Sequence, residues 1–280
     1  FNFDAVTAQI DLEYEDGSTE LGGGSDGDTE VEQAFVNYAL GNGDVITAGR
    51  YASMLGFEAY EPTGLYQYST AYDVVGTDLT FGSQYNQGVK FTRTSDTTFF
   101  GISVQDEAFG DNGDGDSDPD RLGGAGDSSY AVEVAGSMDL GNGLTVFVGA
   151  VFEDADLGDN QLINAYVTYE TGAWLFAAEI NVAEYSDYLG FNEDLDLTSG
   201  LLMANYAYSD VASVTARLSA IELEIADTKL DITKYTLAHN YALSDNLLLV
   251  TEINYVDGDI DDFDVDGDAT TVAVELLFSF

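Results

Sequence analysis

The residues that could do chemistry in this chain are few. Its 7 basic side chains stand against 52 acidic ones, a net charge of −45, with a single histidine and no cysteine. One imidazole, His239, gives a Ser-His-Asp relay or a histidine metal site nothing to build on. The absence of cysteine removes disulfides, thiolate nucleophiles and sulfur-ligated metals. Paired carboxylates can run glycosidase chemistry, but nothing singles out a pair among 52 acids. No catalytic residue is assigned, and an enzyme is not expected. Nucleic acid is excluded as a partner, because phosphate contacts need Lys and Arg.

Cations are the one ligand class that the acids invite. Asp262-Phe263-Asp264-Val265-Asp266-Gly267 offers oxygen donors at alternate positions, like the first half of an EF-hand calcium loop. The bidentate Glu is missing, since its place falls on Ala273. The run from Asp111 to Asp118 is equally acidic and equally incomplete. The expectation is weak Ca2+ binding at Asp262, Asp264 and Asp266 and no dedicated cofactor. A solvated, cation-rich surface or a salt-rich habitat explains the same acidity.

The elements that must carry these residues are strands. Gly 30, Tyr 18 and Phe 16 against Pro 2 describe many strands and tight turns. Hydrophobic content of 45% is too high for disorder. No apolar run reaches the ~18 residues of a membrane helix; a membrane barrel hides its apolar signal in alternation instead. The chain ends Val272, Val274, Leu276, Phe278 and Phe280 on one face. Leu144, Val146, Val148, Ala150 and Phe152 repeat the pattern, as do Trp174, Phe176, Ala178, Ile180 and Val182. The opposite faces hold small and polar residues such as Glu179, Asn181 and Asn164.

Turn chemistry alternates along the chain. Short turns at 41–44, 95–97, 140–143, 170–172, 209–211 and 243–246 carry Gly, Asn, Asp or Ser. Longer acidic segments at 16–28, 52–84, 107–127, 155–160, 186–196, 224–228 and 257–268 separate them. Tyr169, Trp174, Tyr206, Tyr208, Tyr241, Phe278 and Phe280 gather near the short turns, as an interfacial girdle does. The expected fold is all-β: one transmembrane, antiparallel up-and-down β-barrel of about fourteen strands over residues 1–280, with short periplasmic turns and long acidic outer loops. Its place is then a bacterial outer membrane, against lipid and lipopolysaccharide. A soluble acidic β-protein alternates similarly and stays open as an alternative. Nothing at Phe1 resembles a signal peptide, so the sequence reads as mature, with any leader removed.

On that frame the alternation puts Arg50, Lys90, Arg217 and Lys234 on the polar, inward face, while Arg93 faces out beside a turn, where it can snorkel. Glu133, Glu179 and Glu252 also face inward, and Glu275 is the last strand's contribution. The 52–84 segment contains Leu55-Gly56-Phe57-Glu58-Ala59-Tyr60-Glu61 and later Tyr66-Gln67-Tyr68, unlike the Asp/Gly loops elsewhere. It is expected to fold inward and constrict the lumen. Basic wall residues facing Glu58 and Glu61 would set a transverse field across it, or pin the loop by salt bridges.

The stretch Gln33-Ala34-Phe35-Val36-Asn37-Tyr38, then Thr47-Ala48-Gly49-Arg50-Tyr51-Ala52-Ser53-Met54-Leu55-Gly56-Phe57-Glu58, then Tyr66-Gln67-Tyr68-Ser69, resembles the OmpL-like β-barrel porins. The resemblance is specific over residues 33–70 and only strand-like elsewhere. It implies an outer-membrane porin for ions and small hydrophilic solutes, with no catalytic residue to carry over, and a homotrimer as porins commonly form. The last strand is similar to the outer-membrane assembly signal, with Phe278 and Phe280 in its aromatic positions, which implies the barrel-assembly machinery as a partner. It departs from that signal at Glu275, where glycine is usual. Acidic loops at the mouth predict a mild cation preference. The alternative from another class is a plugged structural or adhesive surface barrel whose acidic loops bind cations.

Overall fold

Two turns fix the hairpin geometry. Gly41-Asn42-Gly43 and Gly141-Asn142-Gly143 hold all their residues at positive φ, 93°, 57° and 82° in the first and 82°, 56° and 82° in the second. Glycine and asparagine tolerate that region, and its twist matches the flanking strands. At Gly143 a Cβ would also stand 2.1 Å from the Glu170 carbonyl oxygen. Gly143→Ala is therefore expected to cost roughly 1–3 kcal/mol, read as a lower urea midpoint for unfolding from vesicles. Gly267→Ala, where a Cβ meets nothing within 4 Å, leaves the midpoint unchanged.

The computed structural model describes residues 2–3, 5–15, 28–58, 64–74, 77–79, 82, 84–109, 130–155, 158–186, 193–226, 228–260 and 265–279. Fourteen strands follow one another: β1 Val6–Glu15, β2 Asp28–Gly41, β3 Asp44–Ala52, β4 Tyr85–Thr94, β5 Thr98–Gln105, β6 Tyr130–Gly141 and β7 Leu144–Ala155. They continue as β8 Gly158–Thr171, β9 Trp174–Tyr185, β10 Leu195–Ser209, β11 Ala212–Ile225, β12 Thr228–Ser244, β13 Leu247–Ile260 and β14 Val265–Phe278. Each pairs antiparallel with the next, in unbroken up-and-down order, and Asn2–Phe3 folds back on Val6 and Thr7. Among the described residues no ladder joins β14 to the N-terminal segment. Lipid leaves unpaired strand edges unsatisfied, so that seam is where the barrel closes. No helix among the described residues is long and apolar enough to cross a membrane.

The outward face is apolar as the alternation required. Val148, Ile180, Leu202 and Tyr235 are more than half exposed, which only an apolar medium makes favourable. Beside the short turns Trp174 stacks on Tyr206 at 4.4 Å between ring centroids. His239 lies in the same girdle, its Nε2 2.7 Å from the Tyr208 hydroxyl and its ring near Tyr241. Arg93 faces outward beside its turn and pairs with Asp44 through both guanidinium and carboxylate arms.

Two expectations are corrected by the ladders. Three segments read as acidic loops are mostly strand: Ala155 pairs with Gly158, Ile225 with Thr228, and Asp257 through Ile260 with Asp268 through Val265. β10 to β13 run 15, 14, 17 and 14 residues, longer than the ~9–11 a strand needs to cross a bilayer. Their outer ends stand in water, where Asp231, Asp259 and Asp266 can sit side by side. The inward apolar partners Ile232 and Val256, both buried, hold the pattern that composition obscured. Secondly, the inward faces are not uniformly small and polar. Val151, Leu162, Leu197, Leu201, Ile221 and Ile232 point inward and form a buried cluster with Leu55, Tyr72 and Phe109. A chain segment inside the barrel supplies the other half of that core.

Candidate functional site: an inward loop on the barrel wall

Between β3 and β4, residues 53–58 and 66–73 lie along the inner wall. Glu133 on β6 accepts the Met54 amide and, at 3.1 Å, the Ser53 hydroxyl. Asn164 on β8 accepts the Gly56 amide at 3.1 Å, and Glu179 on β9 accepts the Phe57 amide at 2.7 Å. Phe57 then lies edge-on to Tyr166, 5.8 Å away, and stacks with Tyr66. Gly101 and Gly149 make room for this course: a Cβ there would stand 2.2 Å from the Met54 sulfur and 2.3 Å from a Leu55 methyl.

The return leg is held by three charged residues on adjacent strands. Arg217 on β11 donates to Glu58 at 2.6 Å, to the Ser69 carbonyl at 3.0 Å, to the Thr70 carbonyl at 2.8 Å and to Thr236. The Arg217 side chain is 0% exposed and that of Glu58 8%. Lys234 on β12 donates to the Ser69 hydroxyl and to the carbonyls of Thr70 and Asp73. Glu252 on β13 accepts the Tyr68 and Ser69 amides and the Ser69 hydroxyl, the last at 2.6 Å. Each charge is buried against several hydrogen-bond partners, the condition under which a buried ion is tolerated, although Nε of Arg217 has none among the described residues. Glu58 in turn accepts Gln67 Nε2 and the Ala71 amide, both at 2.6 Å, so the acid organises the loop's own turn.

Tyr72 completes the crossing. Its hydroxyl donates to Glu179 at 2.9 Å and accepts from Asn181 at 3.0 Å. Burial raises this phenol above its ordinary range, so it stays protonated and serves as a donor. Beyond it Asp73–Val74 and Thr77–Asp78 form a small ladder of their own. Sequence reasoning missed a second inward segment: Ala108 and Phe109, after β5, are buried, with Phe109 edge-on to Tyr185 at 5.1 Å. The signal was a Phe at the start of an otherwise Asp/Gly loop.

The sequence-selected residues thus separate into groups. Glu58, Arg217, Lys234 and Glu252 come together, and Glu133 and Glu179 anchor the outbound leg. Lys90 faces inward, its Nζ 4.3 Å from the Tyr51 ring centroid and 3.1 Å from the Ala52 carbonyl. Arg50 does not line the lumen. Thr47 and Tyr51 are the buried, inward residues of β3, so Arg50 shares the outward face with Ile46 and Ala48 and donates to the Glu32 carbonyl. Glu61, Asp262 and Asp264 lie outside the described residues. Asp266 is exposed on the outward face opposite Asp259. Among the described residues no group of three or more His, Cys, Asp or Glu is placed to hold a metal ion.

Among the described residues, the hydrogen bonds named for residues 53–73 go to β6, β8, β9, β11, β12 and β13, and the end of β3 is tied to β2, where Gln33 accepts the Ala52 amide at 3.1 Å. A fourteen-stranded up-and-down sheet with an apolar outer wall, an aromatic girdle and an inward loop defines a porin-type outer-membrane β-barrel.

The comparisons agree with that class. The chain belongs to the family described as "Putative beta-barrel porin-2, OmpL-like", whose model matches residues 8–280. Among solved structures the outer membrane channel DcaP of Acinetobacter baumannii is similar over 98% of this chain and 80% of its own, with a TM-score of 0.71 at 13% identity. A loop-deletion mutant of OmpT, an outer membrane protein of Vibrio cholerae, reaches 0.66 at 15% identity over 98% and 86%. An anion-selective porin from Comamonas acidovorans reaches 0.64 at 15% identity over 99% and 86%. At these identities the likeness is one of fold. No curated protein matches the chain in sequence.

Proposed function

We propose that the protein is a passive, non-enzymatic diffusion channel of the bacterial outer membrane for ions and small hydrophilic solutes, with a mild cation preference. The carrying observation is the polar inner face beside the first and last strands. The described loop residues bond to charged residues of β6, β9, β11, β12 and β13, while the inner faces of β14, β1 and β2 present half-buried Thr271, Thr7, Asp11 and Asn37. A polar strip alongside a packed loop is what a water-filled passage requires. Homotrimer formation, contact with lipopolysaccharide and assembly through Phe278 and Phe280 accompany this reading. Weak calcium binding at the acidic outer ends belongs to it too.

One neighbour is an anion-selective porin, so the fold is compatible with either sign and the charges of this chain decide. In a planar bilayer with a salt gradient, the purified protein is expected to conduct with a reversal potential of cation-selective sign. An anion-selective sign would sink the preference, and absence of conductance would sink the channel. The buried aliphatic cluster inside the barrel favours a second reading, a plugged structural barrel. Liposome swelling separates them: a plug admits no sugar, and the channel does.

A further inference from the structure

Of the 7 basic residues, the six within the described residues are almost all withdrawn from the passage. Arg50 and Arg93 are on the outward face, and Lys229 lies at the outer rim against Glu222 at 2.8 Å and Asp231 at 3.6 Å. Arg217 and Lys234, the bases expected to face the lumen, are 3% and 2% exposed. Apart from the Arg217 Nε, which has no partner among the described residues, their nitrogens donate to a carboxylate, carbonyls and a hydroxyl of the loop. A guanidinium sealed under the chain and paired with Glu58 projects little net field into the water beyond it.

The inner faces of β1 and β14 are charged differently. On β1, Ile10 and Leu12 are outward and strongly exposed, so Asp11 faces in, paired across to the inward, buried Gln33. Its Oδ2 accepts the Gln9 and Gln33 amides at 2.6 and 2.8 Å, which fixes the carboxylate in place. On β14, Val274 and Leu276 are outward, so Glu275 faces in, opposite the buried Val250 of β13. Among the described residues neither carboxylate has a basic partner. Lys90 is the one described base left half-buried on the inner face of this side.

We propose that Asp11 and Glu275, on the strands flanking the barrel's seam, determine the channel's cation preference, while Arg217 and Lys234 act as loop anchors instead of pore charges. The proposal rests on the channel reading above and assigns its selectivity to two wall residues in place of the acidic outer loops. A fixed charge several ångströms from an ion in water changes its local concentration by a factor of about two to three. Lys90 opposes the two acids from the neighbouring wall.

The test is the reversal potential of the full chain in planar bilayers under a KCl gradient, compared with Asp11→Asn, Glu275→Gln, the double variant and Lys90→Met. Each acid variant is expected to lower the cation-to-anion permeability ratio about two-fold, the double variant to bring it near unity, and Lys90→Met to raise it. Heat-modifiable gel mobility should be unchanged throughout. If the double variant conducts with the wild-type reversal potential, the assignment is overturned while the channel stands. If the wild type itself does not conduct, the channel reading fails and the assignment falls with it. Should the double variant not insert, the two single variants decide by the same criterion.

Discussion

Arg217→Met is expected to release the inward loop while leaving the barrel folded. The substitution strands Glu58 in a buried site without its cation and removes the donor to the Ser69 carbonyl, while the Thr70 carbonyl keeps only Lys234. Breaking a buried ion pair from one side costs about 3–5 kcal/mol, and orphaned buried acceptors add about 1–3 kcal/mol each. The barrel ladder has no part in these contacts. The cheapest relief is for residues 66–73 to leave the wall and return Glu58 to water. Single-channel conductance should rise and its open-state noise increase, with heat-modifiable mobility retained. Limited proteolysis should gain a cut within residues 59–74. Adding Glu58→Gln removes the stranded charge, and the pair should then be less perturbed than the sum of the single changes. A conductance indistinguishable from wild type would show that the loop does not bound the passage.

The second large effect tests the outer wall. Leu202→Arg places a guanidinium on a residue that is 59% exposed in the middle of β10, beside Ala178 and Leu218. At the bilayer midplane such a change costs about 2–4 kcal/mol, falling to about 0–1 near the interface. Asp196→Arg lies on the same face of the same strand, six residues toward the outer end, between Glu184 and Glu224. Folding into lipid vesicles, followed by urea titration, should show a marked loss for the first variant and none for the second. Equal effects at the two depths would contradict a hydrocarbon belt across β10.

How far residues reveal themselves before folding differs from element to element. β9 and β14 were legible because Trp174, Phe176 and Ile180, or Val272, Val274 and Leu276, leave no doubt which parity is apolar. β3 was not. Val45, Thr47, Gly49 and Tyr51 face in while Ile46, Ala48 and Arg50 face out, and neither set is distinctly greasier, so the alternation alone does not place Arg50. Acid and glycine dominate the outer ends of β11 to β13, a composition that predicts loops. Their ladders persist because every second residue, Ile221, Ile232 or Val256, finds a buried place inside the barrel.

The inward loop shows the boundary most clearly. Its acids and tyrosines predict that it is ordered and turned inward, and Glu58 does meet a basic wall residue. Its route rests on contacts such as Arg217 with Glu58, 159 positions apart, and Ser69 with Glu252, 183 apart. No local period encodes a meeting at that separation.

The sequence by itself determined the strand order, the tight turns and the apolar outer wall, because each depends on residues within one hairpin meeting lipid or water. The tertiary structure alone decided which charges are sealed under the loop and which face the passage. That choice is made by partners brought together only when the sheet curls, and it leaves Asp11 and Glu275 facing inward with no basic partner among the described residues.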